Sequence, residues 1–195
     1  MIGRTVHELR VGDAAQLTRR ITPETIREFV DATGDDNPIH SDETFAAASR
    51  FGQVIAPGML TGGLLSAVIG TRLPGPGAIY VSQNFRFVKP VYVGDRITAR
   101  VEVAEVLVER NRLRLRTVCL NQDGEPVLDG EAWVIPAQEH VEYAEAAGRG
   151  TLGALACAPA TLAFRAMAFW TAAGLALASQ AFQLVKFPSP PRGRG

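Results

Sequence analysis

Gly58-Met59-Leu60-Thr61-Gly62-Gly63-Leu64-Leu65-Ser66-Ala67-Val68-Ile69-Gly70 is uncharged and apolar on nearly every side of a helix. A helix without a polar stripe belongs inside a domain, with other elements packed around it. The segment is too short to cross a bilayer. Gly62 and Gly63 carry no side chain, so a sheet or another backbone can approach them closely. What surrounds this helix therefore defines the fold.

The flanking patterns describe those surroundings. Downstream, Ala78 to Val88, Ile97 to Glu109, Arg112 to Leu120 and Val127 to Ile135 read as strands. Gly94-Asp95 and Asn121-Gln122-Asp123-Gly124 read as turns between them. Arg112, Arg114 and Arg116 alternate with Leu113 and Leu115, which gives that strand one wet face and one dry face. Upstream, residues 14–20 alternate loosely as a first strand. Thr22 is a helix N-cap, with Pro23 at the first helical position and Glu24 in the first turn. Ile26, Phe29 and Val30 recur at i, i+3 and i+4, and Gly34 ends the helix. Ser41 caps a second short helix that turns Phe45 and Ala48 inward and stops near Gly52. Helices followed by an antiparallel meander make an α+β domain, an antiparallel sheet wrapped around one buried helix.

Bulk composition agrees with one soluble domain and some length left over. Hydrophobic residues make up 47% of the 195 and charged residues 21%, ordinary for a globular core. The formal net charge is zero, so no global field argues for nucleic acid. Residues 1–150 hold 16 basic and 20 acidic groups, and the four remaining charges, Arg165, Lys186, Arg192 and Arg194, are all basic. Cys119 and Cys157 sit in apolar surroundings without metal-type spacing, which suits a reduced, cytoplasmic chain. Met1 to Arg20 is too polar for a secretory signal.

The chemistry concentrates between the two short helices, in Gly34-Asp35-Asp36-Asn37-Pro38-Ile39-His40. A carboxylate and an imidazole held together can grip a water molecule and move its proton, the core need of a hydratase or a hydrolase. Imidazole titrates near neutral pH, with a reference pKa of about 6.5. Asp and Asn also structure turns; Asp36 and Asn37 take that role here, and Pro38 stiffens the loop. Gly58 opens the buried helix, where free N–H groups and the positive dipole end point outward. An oxygen gaining negative charge there is stabilised, and one such donor is worth about 3 kcal/mol. Ser66, two turns on, is placed to hydrogen-bond a substrate, His40 or its own i−4 carbonyl. Phe85 and Phe87 read as core or pocket lining. His7, His40 and His140 show no ligand spacing, so no metal is expected.

Three segments occur together in one family: Asp35-Asp36-Asn37-Pro38-Ile39-His40, Ala56-Pro57-Gly58-Met59 and Phe85-Arg86-Phe87-Val88-Lys89-Pro90-Val91-Tyr92-Val93-Gly94-Asp95. Over roughly residues 5 to 137 the chain resembles the MaoC-like, (R)-specific enoyl-CoA hydratases, and the combination is far more specific than any one motif. Leu73-Pro74-Gly75-Pro76-Gly77-Ala78-Ile79-Tyr80 is also similar to the MaoC domain fused to phosphate acyltransferases. Pro57 departs from the family, which often has His before the Gly-Met pair; the departure bears on the pocket wall or the helix entry, not on the acid/base pair.

The resemblance implies a hot-dog fold over residues 1–142 and the reversible hydration of trans-2-enoyl-CoA to (R)-3-hydroxyacyl-CoA. It implies Asp35 and His40 as catalysts, either being base or acid, with the thioester oxygen held at the Gly58 N–H. It implies an acyl-CoA or acyl-ACP partner, no cofactor and a homodimer. Arg86, Arg110 and Arg112 fit either CoA phosphates or a solvated strand face, the commoner fate. The alternatives are a 3-hydroxyacyl-ACP dehydratase, a hot-dog thioesterase, which the water-holding pair disfavours, and a non-catalytic acyl-CoA-binding hot-dog module.

Residues 143–195 form an atypical Ala-rich tail outside the family pattern, expected to be partly helical with a disordered end. Ala166 to Val185 is uncharged between Arg165 and Lys186, long enough to span a bilayer but only modestly hydrophobic. A packed helix, a shifted reading frame and a membrane anchor compete for it, with the anchor last.

Overall fold

The apolar segment is a helix surrounded on one side by sheet. The structure, a computed structural model, describes residues 1–144. Residues 145–195, and with them the expectations for the tail, for 166–185 and for Cys157, lie outside the described residues. In chain order the elements are β1 (Ile2–Gly3), β2 (Ala14–Arg20), α1 (Pro23–Thr33), α2 (Glu43–Ala48), α3 (Gly58–Thr71), β3 (Ile79–Phe87), β4 (Arg96–Leu107), β5 (Arg112–Leu120), β6 (Pro126–Ile135) and β7 (Val141–Glu142). Five strands form one antiparallel sheet in the order β2-β4-β5-β6-β3, and β1 pairs with β7 apart from it. Among the described residues no helix is long and apolar enough to cross a membrane.

Sheet and helix meet through the residues that the alternation selects. Ile97, Ala99, Val101 and Val103 of β4 are fully buried, as are Leu113, Leu115 and Cys119 of β5 and Ala132 and Val134 of β6. They face Leu65, Val68 and Ile69 of α3 in one continuous core. Each fully buried Leu, Ile or Val contributes about 1.5–3 kcal/mol relative to exposure. Gly62 lets the helix seat closely: a Cβ there would lie 2.9 Å from the Phe85 ring. The outer face of β5 is charged, and Arg114 bridges Glu105 at 3.0 Å and Glu131 at 2.8 Å.

Three local expectations change. The α3 helix is not covered all round, because Met59, Gly63, Ser66 and Gly70 are exposed along one strip. The N-cap of α2 is Asp42, whose Oδ1 accepts the Phe45 N–H at 2.9 Å, rather than Ser41. Phe45 and Ala48, both expected inward, are exposed, and Ala46 is the residue that this short helix buries.

The N-terminal turn is tied to the far end of the described chain. The Glu8 carboxylate accepts from the Thr5 N–H at 2.7 Å and lies 2.8 Å from the His140 ring. The Thr5 backbone bond first, and His140 second, hold its pKa down at about 2.

Candidate active site

A ladder of backbone bonds carries His40 to the start of α3. Asn37 Oδ1 accepts the Ile39 N–H at 3.3 Å, which folds Pro38–His40 into a single 3-10 turn. The Ile55 N–H then donates to the Ile39 carbonyl at 3.3 Å, and the Ala56 N–H donates to the Val91 carbonyl at 2.8 Å. The turn, the lead into α3 and the strand-connecting segment are thereby held side by side. Asn37 and Pro38 thus structure the loop.

The imidazole is fixed through its own bond to this ladder. His40 Nδ1 lies 2.7 Å from the Ile55 carbonyl oxygen. A carbonyl only accepts, so Nδ1 carries the proton, and Nε2 of the neutral ring is left with its lone pair. That Nε2 faces Asp35 Oδ2 at 3.8 Å, with the side chains 10% and 43% exposed respectively. The separation is too long for a direct hydrogen bond and suits a water accepted by both groups. Asp36, one residue on, is exposed.

Gly58 completes the arrangement from below. It lines a cavity of about 260 Å³ together with His40, Thr61, Phe87, Val91 and Val127. No side chain caps α3, whose N-cap is Pro57, so the first N–H groups keep the exposed, positive character of a free helix end. A Cβ at Gly58 would stand 2.8 Å from Phe87 Cε1; glycine here keeps the cavity open. A larger cavity of about 600 Å³ also touches His40 and is walled by Ile26, Val30, Ala47 and Val54; Asp35 lines neither of the two. It contains none of the other candidate groups.

The structure does not bring Ser66 to the pair. Ser66 lies on the exposed strip of α3 and lines neither cavity at His40. Its neighbour is the Tyr80 phenol, whose pKa is raised by burial and drawn back by a hydrogen bond with Ser66. Arg86 is paired with Asp129 at 2.9 and 2.5 Å, while Arg110 and Arg112 line a separate pocket beside Trp133. Two cations that the sequence did not single out, Arg50 and Lys89, line the cavity that holds His40 and Gly58. Cys119 is buried, its thiol donates toward the Thr61 carbonyl at 3.7 Å, and burial pushes its pKa up to about 12. That thiol is no nucleophile. Among the described residues no group of three or more His, Cys, Asp or Glu is placed to hold a metal ion.

Known proteins resemble this chain in sequence and in fold. Residues 10–120 match a family model described as MaoC like domain. A 3-hydroxybutyryl-CoA dehydratase of Methylorubrum extorquens is 49% identical over 136 residues, 69% of this chain and 86% of the relative. An (R)-specific enoyl-CoA hydratase of Rhodospirillum rubrum is 42% identical over 132 residues, 67% of this chain and 91% of the relative. Among solved structures, the unliganded R-hydratase PhaJ1 of Pseudomonas aeruginosa superposes with a TM-score of 0.69 at 41% identity, covering 77% of this chain and 97% of that one.

Proposed function

The chain belongs to the MaoC-like domain family, and from that premise we propose that it adds water reversibly to a trans-2-enoyl thioester, giving the (R)-3-hydroxyacyl thioester. The observation that carries this reading is the 3.8 Å separation of Asp35 Oδ2 from His40 Nε2, with His40 and Gly58 lining one cavity. A water in that gap gives a proton to Nε2 as its oxygen bonds to Cβ. The imidazolium so formed, next to the Asp35 carboxylate, returns a proton to Cα. Between the two steps the electron pair rests on the thioester oxygen, where the Gly58 N–H stabilises it. Every atom of the water ends on the product, and dehydration is the same path reversed. The reaction draws only on this chain's groups and the thioester, so no cofactor is needed.

The test is the loss of conjugated-thioester absorbance on mixing with crotonyl-CoA. We expect turnover by the parent chain and a loss of about a hundredfold or more in kcat for Asp35→Asn and His40→Gln. Binding without turnover in the parent would instead make the domain an acyl-CoA-binding module. An acyl-ACP thioester presents the same reacting atoms, and relative kcat/KM on the two carriers assigns the physiological one.

The expected protein partner is a second copy. The strip Met59, Gly63, Ser66 and Gly70 on α3 lies open, and β3 forms a sheet edge with Ile79, Tyr80 and Val81 exposed. Pairing two such edges covers both features at once.

A further inference from the structure

We infer that Arg50 binds the phosphate that terminates the pantetheine arm of the thioester carrier. This rests on the hydratase reading of the same cavity, and extends it from the reacting atoms to the handle that delivers them. Arg50 and Lys89 line the cavity that also contains His40 and Gly58, and Phe87, Pro90, Val91 and Val127 add apolar wall to it. A pantetheine arm has this character: a thioester at one end, an apolar and amide chain, and an anionic phosphate at the other.

The two cations differ in what already occupies them. Lys89 Nζ lies 2.8 Å from a Glu125 carboxylate oxygen, so its charge is answered within the protein. Arg50 has no such partner among the described residues. Its guanidinium instead lies 4.7 Å from the centroid of the Phe51 ring. Stacking on a ring face holds the group in place and leaves its in-plane N–H donors free. Arg86, Arg100 and Arg114 are each paired with carboxylates, and among the unpaired arginines of the described residues Arg50 is the one that lines the cavity of His40 and Gly58. An exposed, positioned and unneutralised fork lining a reactive cavity is suited to two phosphate oxygens. The anion can stay partly hydrated there while the thioester is enclosed.

CoA and acyl-carrier protein share this phosphate, and only CoA adds the nucleotide. The experiment therefore compares crotonyl esters of pantetheine, 4′-phosphopantetheine and CoA. In the parent chain the phosphopantetheine ester should exceed the pantetheine ester in kcat/KM. That ratio should fall about tenfold in Arg50→Met, the size of one charge-assisted hydrogen bond, and recover in part in Arg50→Lys. An unchanged ratio overturns the inference, whatever happens to the absolute rates. A loss confined to the CoA ester also overturns it, because Arg50 would then read the nucleotide. Calorimetry with 4′-phosphopantetheine and pantetheine as ligands tests the contact without turnover. A tenfold weakening of the phosphorylated ligand alone in Arg50→Met supports the contact even if no ester is hydrated. Equal affinities of parent and variant refute it.

Discussion

Asp35 and Asp36 are neighbours in sequence and occupy opposite situations. The Asp35 carboxylate is turned to His40, whereas Asp36 is exposed. Asp36→Asn should therefore hydrate crotonyl-CoA within about twofold of the parent, against the hundredfold loss expected for Asp35→Asn; equal losses would remove the distinction. Gly58 tests the other half of the site. An alanine Cβ there would stand 2.8 Å from Phe87 Cε1, and Phe87 is 53% exposed, so its ring has somewhere to go. We expect Gly58→Ala to lose kcat/KM with little change in Tm, and Phe87→Leu to restore part of the activity in the double variant, a coupling that a purely additive pair would not show. Asp35 and His40 were legible from sequence because both lie in one short turn, where spacing along the chain is close to spacing in space. The carbonyl of Ile55 that sets the imidazole tautomer was not, because it belongs to a distant segment and a carbonyl leaves no mark in residue identity. Arg50 and Lys89 escaped for the same reason: only the folded backbone brings them to one cavity. Counting turns of α3 leaves Ser66 open to substrate, His40 or its own i−4 carbonyl, because it fixes height along the helix but not which side is open.

The elements themselves were more legible where local chemistry decides them. Thr22 caps α1 by accepting the Thr25 N–H at 3.2 Å, and Gly34 ends it with a φ of 72°, a conformation that glycine adopts without strain. Strands β3 to β6 fall within a residue or two of their alternating patterns. The pair β1 and β7 was invisible, since two-residue strands have no period, and it exists because tertiary contacts bring the two ends together. One such contact should be measurable in acid. Glu8 is held at about 2, below its ordinary 4.5, so the native state binds this proton less readily than the unfolded chain. Its stabilisation is therefore present above pH 4.5 and is lost as pH falls from there toward 2. Thermal melts of Glu8→Gln should lie below the parent at pH 7 and converge with it near pH 2; parallel curves would refute the linkage. At the sheet, Gly130 on β6 opposes Phe85, and a Cβ there would lie 2.0 Å from the Asn84 carbonyl oxygen. Backbone cannot yield as Phe87 can. Gly130→Ala should cost about 2–4 kcal/mol in denaturant unfolding, far more than Gly58→Ala.

At the scale of the whole molecule, the two sheet edges are not equivalent. The β2 edge ends in exposed Arg19 and Arg20, charges that discourage another strand from pairing there. The β3 edge exposes Ile79, Tyr80 and Val81 instead, and a register shift between Tyr80 and Ser82 leaves Val81 outside the regular pairing with β6. Beside it runs the open strip of α3, where Gly63, Ser66 and Gly70 are small enough for another backbone to come near. The second copy proposed above, related by a two-fold axis, would cover this strip and the β3 edge with one interface. Light scattering at micromolar concentration should thus give twice the chain mass for the parent. Val81→Arg places a charge on the proposed seam, and should shift the mass to one chain and lower activity together with it. Arg19→Glu, on the opposite edge, should leave the mass at two chains. A parent chain that scatters as a monomer, or an Arg19→Glu variant that dissociates while Val81→Arg does not, would move the interface off β3.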